Sequence, residues 1–177
     1  KYIKELHVTF QQAMHLKRVL KHSNHPLEQN MENLLNEQVV GQIREAFDQI
    51  DQPVQMLFFG TKEHCEYCKE AQQLLTELAE INERVHLSIH DVHDDAEVAA
   101  QYKVDKAPAI VIAGRDGDTV IPLGIQFSGV PSGYEFGTLI NDILFASKRD
   151  SGLGAATREF LKSLTQPLLL QVFVTPT

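Results

Sequence analysis

Cys65 and Cys68 are the only two cysteines in the 177 residues, and they limit what the chain can fold into more than any other feature. An uninterrupted apolar stretch of strand length, Val54 to Phe59, comes before them. After them, from Glu66 to Leu78, Ala71, Leu74, Leu75 and Leu78 recur at helical spacing. The pair therefore belongs at a strand-to-helix junction, with Cys65 near the helix N-terminus and Cys68 in its first turn. Two thiols three positions apart cannot build a disulfide framework of the secreted kind, so they have to be explained as a pair.

The flanking sequence supplies the remaining elements. Asn36 to Ile50 places Val39, Val40, Ile43, Phe47 and Ile50 on one helical stripe that Asp51-Gln52-Pro53 ends. Val85 to Val92 alternates as a strand, Asp95 to Tyr102 reads as a short helix, and Ala109 to Ala113 is a β-rich run after Pro108. Arg115-Asp116-Gly117-Asp118 is a hairpin turn signal, with Thr119 to Leu123 or beyond as the returning strand. Tyr134 to Ala146 reads as a helix carrying Phe136, Leu139, Ile140, Ile143 and Leu144. The order α, β, α, β, α, β, β, α predicts an α/β fold with a central mixed sheet flanked by helices on both faces. Its first crossover is parallel and its last strand pair is a hairpin.

Composition narrows the functional classes. With 43% hydrophobic and 23% charged residues the chain has the balance of a globular protein. No run approaches the ~18 apolar residues of a membrane helix. The start of the sequence has no secretory apolar core, so a cytoplasmic protein is expected. A net charge of -8 and the lack of interleaved basic and aromatic residues argue against nucleic acid as a partner. The charge is uneven: residues 1–30 hold Lys1, Lys4, Lys17, Arg18 and Lys21 against Glu5 and Glu28, and end just before Met31. A boundary is expected there, with residues 1–30 an N-terminal extension. Its His7, His15, His22 and His25 share no single ligand spacing.

The chain also repeats itself. A shift of 114 residues lays Arg44-Glu45 on Arg158-Glu159, Gln52-Pro53 on Gln166-Pro167 and Ile50 on Leu164, and each copy leads into an apolar strand, Val54 to Phe59 and Leu168 to Val174. Residues 31–150 are thus expected to form one complete unit, and residues 151–177 the start of a second, cut before the position of its cysteines. The apolar segment Leu153 to Thr177 is expected to pack on the first unit or to drive association.

A helix N-terminus offers unpaired N–H groups and partial positive charge that favour a thiolate, which makes Cys65 the candidate nucleophile. A mixed disulfide on Cys65 is resolved by a thiol within reach behind it, and Cys68, three positions on, is the candidate. His64, Glu66 and Tyr67 are the candidates for tuning the pair. Glu66 places negative charge beside the nascent thiolate and protonated His64 acts the other way, so a moderately acidified thiol is expected, nearer a reductant than a strong oxidant. In Lys106-Ala107-Pro108-Ala109, a cis bond before Pro108 would offer the backbone of Ala107 to an extended substrate. Two other readings stand beside this one: half of a zinc site completed by His64, His90 or His93, and a pair of inert buried thiols. No second Cys-x-x-Cys follows, and His90 and His93 fall in an acidic stretch, so no metal is assigned.

Phe58-Phe59-Gly60-Thr61-Lys62-Glu63-His64-Cys65-Glu66-Tyr67-Cys68, Val104-Asp105-Lys106-Ala107-Pro108-Ala109 and Gly129-Val130-Pro131-Ser132-Gly133-Tyr134-Glu135-Phe136 together resemble the first unit of the glutaredoxin-like protein disulfide oxidoreductases. Those are two tandem thioredoxin folds in one chain, each usually with its own Cys-x-x-Cys. The resemblance covers residues 31–177 and implies a thioredoxin-like fold and thiol–disulfide exchange on protein substrates. It implies no cofactor, and a thioredoxin-reductase-like electron donor as partner. Cys65 would be the nucleophile, Cys68 the resolving thiol, and Pro108 the cis-proline facing them beside Ala107. The segment from Gly129 to Phe136 would close the substrate groove. The buried acid that many thioredoxins carry six residues before the first cysteine is replaced by Phe59, so no general base is assigned there. Two alternatives differ in role: an electron-relay module of a peroxiredoxin reductase, and a thioredoxin-fold binding module without turnover.

Overall fold

Every residue of the strand Val54–Gly60 (β1) is buried, because strands pair with it on both sides and the sheet is built around it. The computed structural model describes residues 33–173, and elements are numbered over those residues. In chain order they are α1 (Glu37–Phe47), β1, α2 (Cys68–Ile81), β2 (Val85–Asp91), α3 (Ala96–Gln101), β3 (Ala109–Asp116), β4 (Thr119–Ser128), α4 (Tyr134–Lys148) and α5 (Ala155–Lys162). The expected extension 1–30, its histidines and Met31 lie outside the described residues.

The sheet runs β2-β1-β3-β4. β1 is parallel to β2, with Val54 opposite Val85, and antiparallel to β3, with Phe59 opposite Ala109. β3 and β4 form the hairpin, turning at Gly117, whose φ of 56° is a conformation glycine adopts without steric cost. Helices lie on both faces, as the element order predicts.

Burial divides the core in two. The larger part packs α1, α2 and α4 on one face of the sheet and includes Ile43, Phe47, Met56, Phe58, Leu74, Leu78, Ile110 and Leu139. The smaller part, on the other face, gathers Leu57, Phe59, Ala99, Val104 and Val111 around α3.

Element ends are fixed by named groups. The Asn36 side chain accepts from the Val39 amide at 2.9 Å and starts α1. α4 stops at Arg149, in the left-handed region at φ 51°. The Arg149 guanidinium donates to the carbonyls of Pro53 and Arg115, each at 3.0 Å, and so ties the end of α4 to the sheet. Gly114 lies beneath that guanidinium, where an added Cβ would collide with it.

One expectation about the C-terminal segment is corrected. Of the expected strand Leu168–Val174, residues 168–173 carry no strand, because among the described residues no neighbouring strand pairs with them; Val174 lies outside the described residues. Of the two fates expected for Leu153 to Thr177, packing on the first unit is not seen among the described residues, where α5 buries no residue.

Candidate functional site

The cysteines sit where the sequence places them. Cys68 is the first residue of α2, and its N-terminal flank at Tyr67 has no side-chain cap, so the first amides of the helix face the pair unpaired by a neighbour's side chain. Cys65 and Cys68 form a disulfide with a Cα–Cα separation of 5.4 Å. Cys68 is buried and Cys65 half-buried against the same apolar cluster, so Cys65 is the more open of the two.

Strand alternation decides what lies behind the disulfide. Phe58 points into the cluster that contains Cys68, whereas Phe59 points to the opposite core and stacks on His90, ring centroids 5.2 Å apart. Counting back six residues from Cys65 therefore finds a side chain on the wrong face. The residue backing the pair is Phe58, and it too is apolar.

Gly60 is a residue beside the pair that sequence reasoning missed. A Cβ there would come 2.9 Å from the Phe58 ring and 3.4 Å from Cys68 Sγ, so the strand passes next to the Cys68 sulfur and it is the Phe58 ring that would have to move for any larger residue. The signal was present as a glycine ending a buried apolar strand.

The loop from Thr61 to Tyr67 that presents Cys65 is held from the neighbouring strand end. The Lys62 amide donates to Asp91 Oδ2 at 3.0 Å, and the Lys62 ammonium pairs with Asp94. Asp91 also accepts from the amides of His93 and Asp94, at 2.9 and 3.2 Å. These amides, His93 first, hold its carboxyl below the ordinary carboxylate range. Asp91 was likewise not singled out by sequence reasoning; its signal is an Asp at a strand end before a polar turn.

Of the tuning candidates, His64, Glu66 and Tyr67 are all exposed around the pair. His64 has φ 56°, the left-handed region, immediately before Cys65. A hydrogen bond to Glu66, together with its charge, raises the Tyr67 phenol above its ordinary value. His90 is turned to the far face of the sheet and is not brought to the cysteines.

The Ala107–Pro108 bond is cis. Ala107 and Val130 pack on the cluster that holds Cys65 and Cys68, and the Gly129 amide donates to the Pro108 carbonyl at 2.8 Å. Ala107, Pro108 and Gly129 thus come together at one place, and Ala107 packs on the same cluster as the cysteine pair. Among the described residues nothing hydrogen-bonds the Ala107 amide or carbonyl, which leaves that edge free for an extended chain. Among the described residues no group of His, Cys, Asp and Glu is arranged to hold a metal ion, and no helix is long and apolar enough to cross a membrane.

Comparison with known proteins gives a family and a fold. A family model described as TraF, F plasmid transfer operon protein, matches residues 7–130 and so takes in most of the expected N-terminal extension. A search of curated proteins finds no match. Among solved structures, a protein disulfide oxidoreductase from Aeropyrum pernix k1 superposes with a TM-score of 0.64 at 26% identity, over 73% of this chain and 55% of that one. The NTD_N/C domain of alkylhydroperoxide reductase AhpF from Enterococcus faecalis gives 0.62 at 25% identity, over 71% and 58%. The AhpF subunit from the same organism gives 0.64 at 25%, over 73% and 61%. The chain spans less than two thirds of each of these structures. Its fold is that of thioredoxin, and its cysteine pair is of the redox type.

Proposed function

The chain belongs to the TraF family, described as F plasmid transfer operon protein, and from that premise we propose that it is a thiol–disulfide oxidoreductase acting on protein disulfides. The observation that carries this is the Cys65–Cys68 disulfide at an uncapped helix start, with Ala107, packed on the same cluster, offering a backbone edge that has no partner among the described residues.

In the reduced enzyme the Cys65 thiolate attacks one sulfur of a substrate disulfide. That bond breaks, the other substrate sulfur leaves as a thiolate, and a mixed disulfide forms on Cys65. The substrate segment lies extended along Ala107 and Pro108, with Gly129 closing the groove. Cys68 then attacks the Cys65 sulfur, the second substrate thiolate leaves, and the pair becomes the intramolecular disulfide. Two electrons have passed to the substrate, and a thioredoxin-reductase-like dithiol donor returns them. Glu66 beside the pair supports a thiol that is only moderately acidified. A Cys65 pKa near ~3.5, the strong-oxidant end, found by titrating thiolate absorbance would overturn that part.

Residues 31–150 are the acting unit in this reading, and residues 151–177 the start of a second similar one. Support comes from the repeat at a shift of 114 residues and from α5, which precedes Gln166-Pro167 as α1 precedes Gln52-Pro53. Dithiothreitol-driven insulin reduction by the chain and by its Cys65→Ser variant tests the activity. Catalysis lost in the variant is the expected result, and equal rates in both overturn it. The likeness to AhpF favours a second reading, an electron relay to a peroxidase. Reduction of a peroxiredoxin with no turnover of insulin would select it.

A further inference from the structure

α3 has only six residues, and the small apolar cluster it covers lies around Phe59, Ala99 and Val104. Farther along the same face of the sheet is a cavity of about 350 Å³. Strand register places it: Leu57 lies beside Ser88 and Val111, Gln55 beside His86 and Ala113, and Arg115 beside Val120. Most of the cavity's lining is thus on the opposite face from the cluster that holds Cys65 and Cys68, with Leu87 of the edge strand reaching that cluster.

Its polar groups are connected. Gln55, in the central strand, is only 3% exposed, and an amide there is costly unless it is fully used. Its Oε1 accepts from Arg115 Nη1 at 2.8 Å and its Nε2 donates to Ser88 Oγ at 3.3 Å. Ser88 Oγ lies 3.0 Å from His90 Nε2. Arg115 Nε donates to the Gly117 carbonyl at 2.8 Å.

Neutral acceptors therefore orient this guanidinium. Among the described residues its carboxylate partner within ion-pair distance is Asp118, 3.8 Å from Nη2 on a fully exposed side chain. Asp95 stands 3.6 Å from His90 Nδ1. In a chain of net charge -8, a cation held at the rim of a cavity and weakly neutralised calls for an anion. Leu57, Val98, Tyr102 and Val120 line the remainder and suit an apolar body.

We propose that this cavity binds a small molecule with a carboxylate head and an apolar body. The carboxylate sits on the Arg115 guanidinium, whose planar fork matches it, and the body lies against Leu57, Val98 and Val120. This site is separate from the cysteine pair and does not depend on its activity.

The test titrates the ¹⁵N-labelled chain with 4-phenylbutyrate and, separately, with the neutral 4-phenylbutanol, at fixed pH and ionic strength. Saturable amide shifts are expected at Leu57, Ser88, Tyr102 and Val120 with the acid, and binding weaker by roughly tenfold or more with the alcohol. Arg115→Gln is expected to remove the preference for the acid. Val98→Trp, which fills the cavity and leaves the Arg115 contacts intact, is expected to abolish binding of both. Absence of saturation, equal affinity for the two probes, or shifts confined to the Ala107–Pro108 groove would each overturn the proposal.

Discussion

Replacing Gly60 with alanine tests whether β1 packs on the Phe58 ring, beside Cys68, as closely as the structure places it. The added Cβ would lie 2.9 Å from Cε1 and 3.2 Å from Cζ of Phe58, against an optimum of about 3.5–4.0 Å between carbons. The ring must therefore shift by more than half an ångström on the order of that deficit. Phe58 is 1% exposed and enclosed in the larger core, so it has little room to do so. Overpacking of this kind costs ~1–3 kcal/mol. Gly60 is not in the left-handed region, so alanine recovers roughly 0.4–1 kcal/mol by restricting the unfolded chain. The net expectation is a loss of about 1.5 kcal/mol. With a urea m-value of about 1–3 kcal/mol/M, the midpoint falls by about 0.5–1.5 M at unchanged m. The assay is urea unfolding of the oxidised protein followed by far-UV circular dichroism. Phe58→Leu in the Gly60→Ala background removes the ring atoms that clash, and a double-mutant cycle should return a coupling of about 1 kcal/mol. A Gly60→Ala protein as stable as the parent, or an additive cycle, would refute the close approach.

Other consequences can be checked with similar means. The Asp91 carboxyl is held below the ordinary carboxylate range by amides of the folded chain, so its stabilisation is complete above that range and is lost as pH falls through the lower folded value. Asp91→Asn should flatten the stability profile in that window, and a carboxyl carbon titration placing Asp91 at or above the ordinary value would contradict this. At His64, φ 56° disfavours a β-branched residue, so His64→Val should be less stable than His64→Gly by ~1–2 kcal/mol. Equal midpoints for those two variants would mean the backbone there is not constrained. α5 buries nothing, and among the described residues the side-chain tie between it and the end of α4 is the exposed Arg158–Asp150 ion pair, which solvent screens. A chain ending at Asp150 should thus unfold at a urea midpoint close to that of the longer one, and a clearly lower midpoint would show that the C-terminal segment packs on the unit.

Much of this was readable from residue order because the signals are local. The 3.6-residue period over Val39, Ile43 and Phe47 and the buried run of β1 each depend on a dozen residues or fewer, and the structure has α1 and β1 there. So does the cysteine pair, which takes its place from the elements on either side. What escaped depends on partners far along the chain. Counting six residues back from Cys65 lands on Phe59, yet a strand alternates, and it is Phe58 that faces the cluster holding Cys68. Arg115 was read as a turn residue, and its contact with Gln55 spans 60 residues of sequence.

Leu168 to Phe173 makes the same point from the other side. Its composition matches β1, preceded in both cases by a helix and Gln-Pro, yet β1 is buried throughout and Leu170 is 81% exposed. β1 has Val85–Asp91 on one side and Ala109–Asp116 on the other, and both of those strands follow it in the chain. A strand is therefore a property of its neighbours as much as of its own residues. By that reasoning, residues 168–173 become a strand only where two others flank them, and they should gain amide protection in whatever assembly supplies those edges. Hydrogen exchange that stays fast there in a longer chain carrying a second complete unit would separate the repeat in sequence from any repeat in structure.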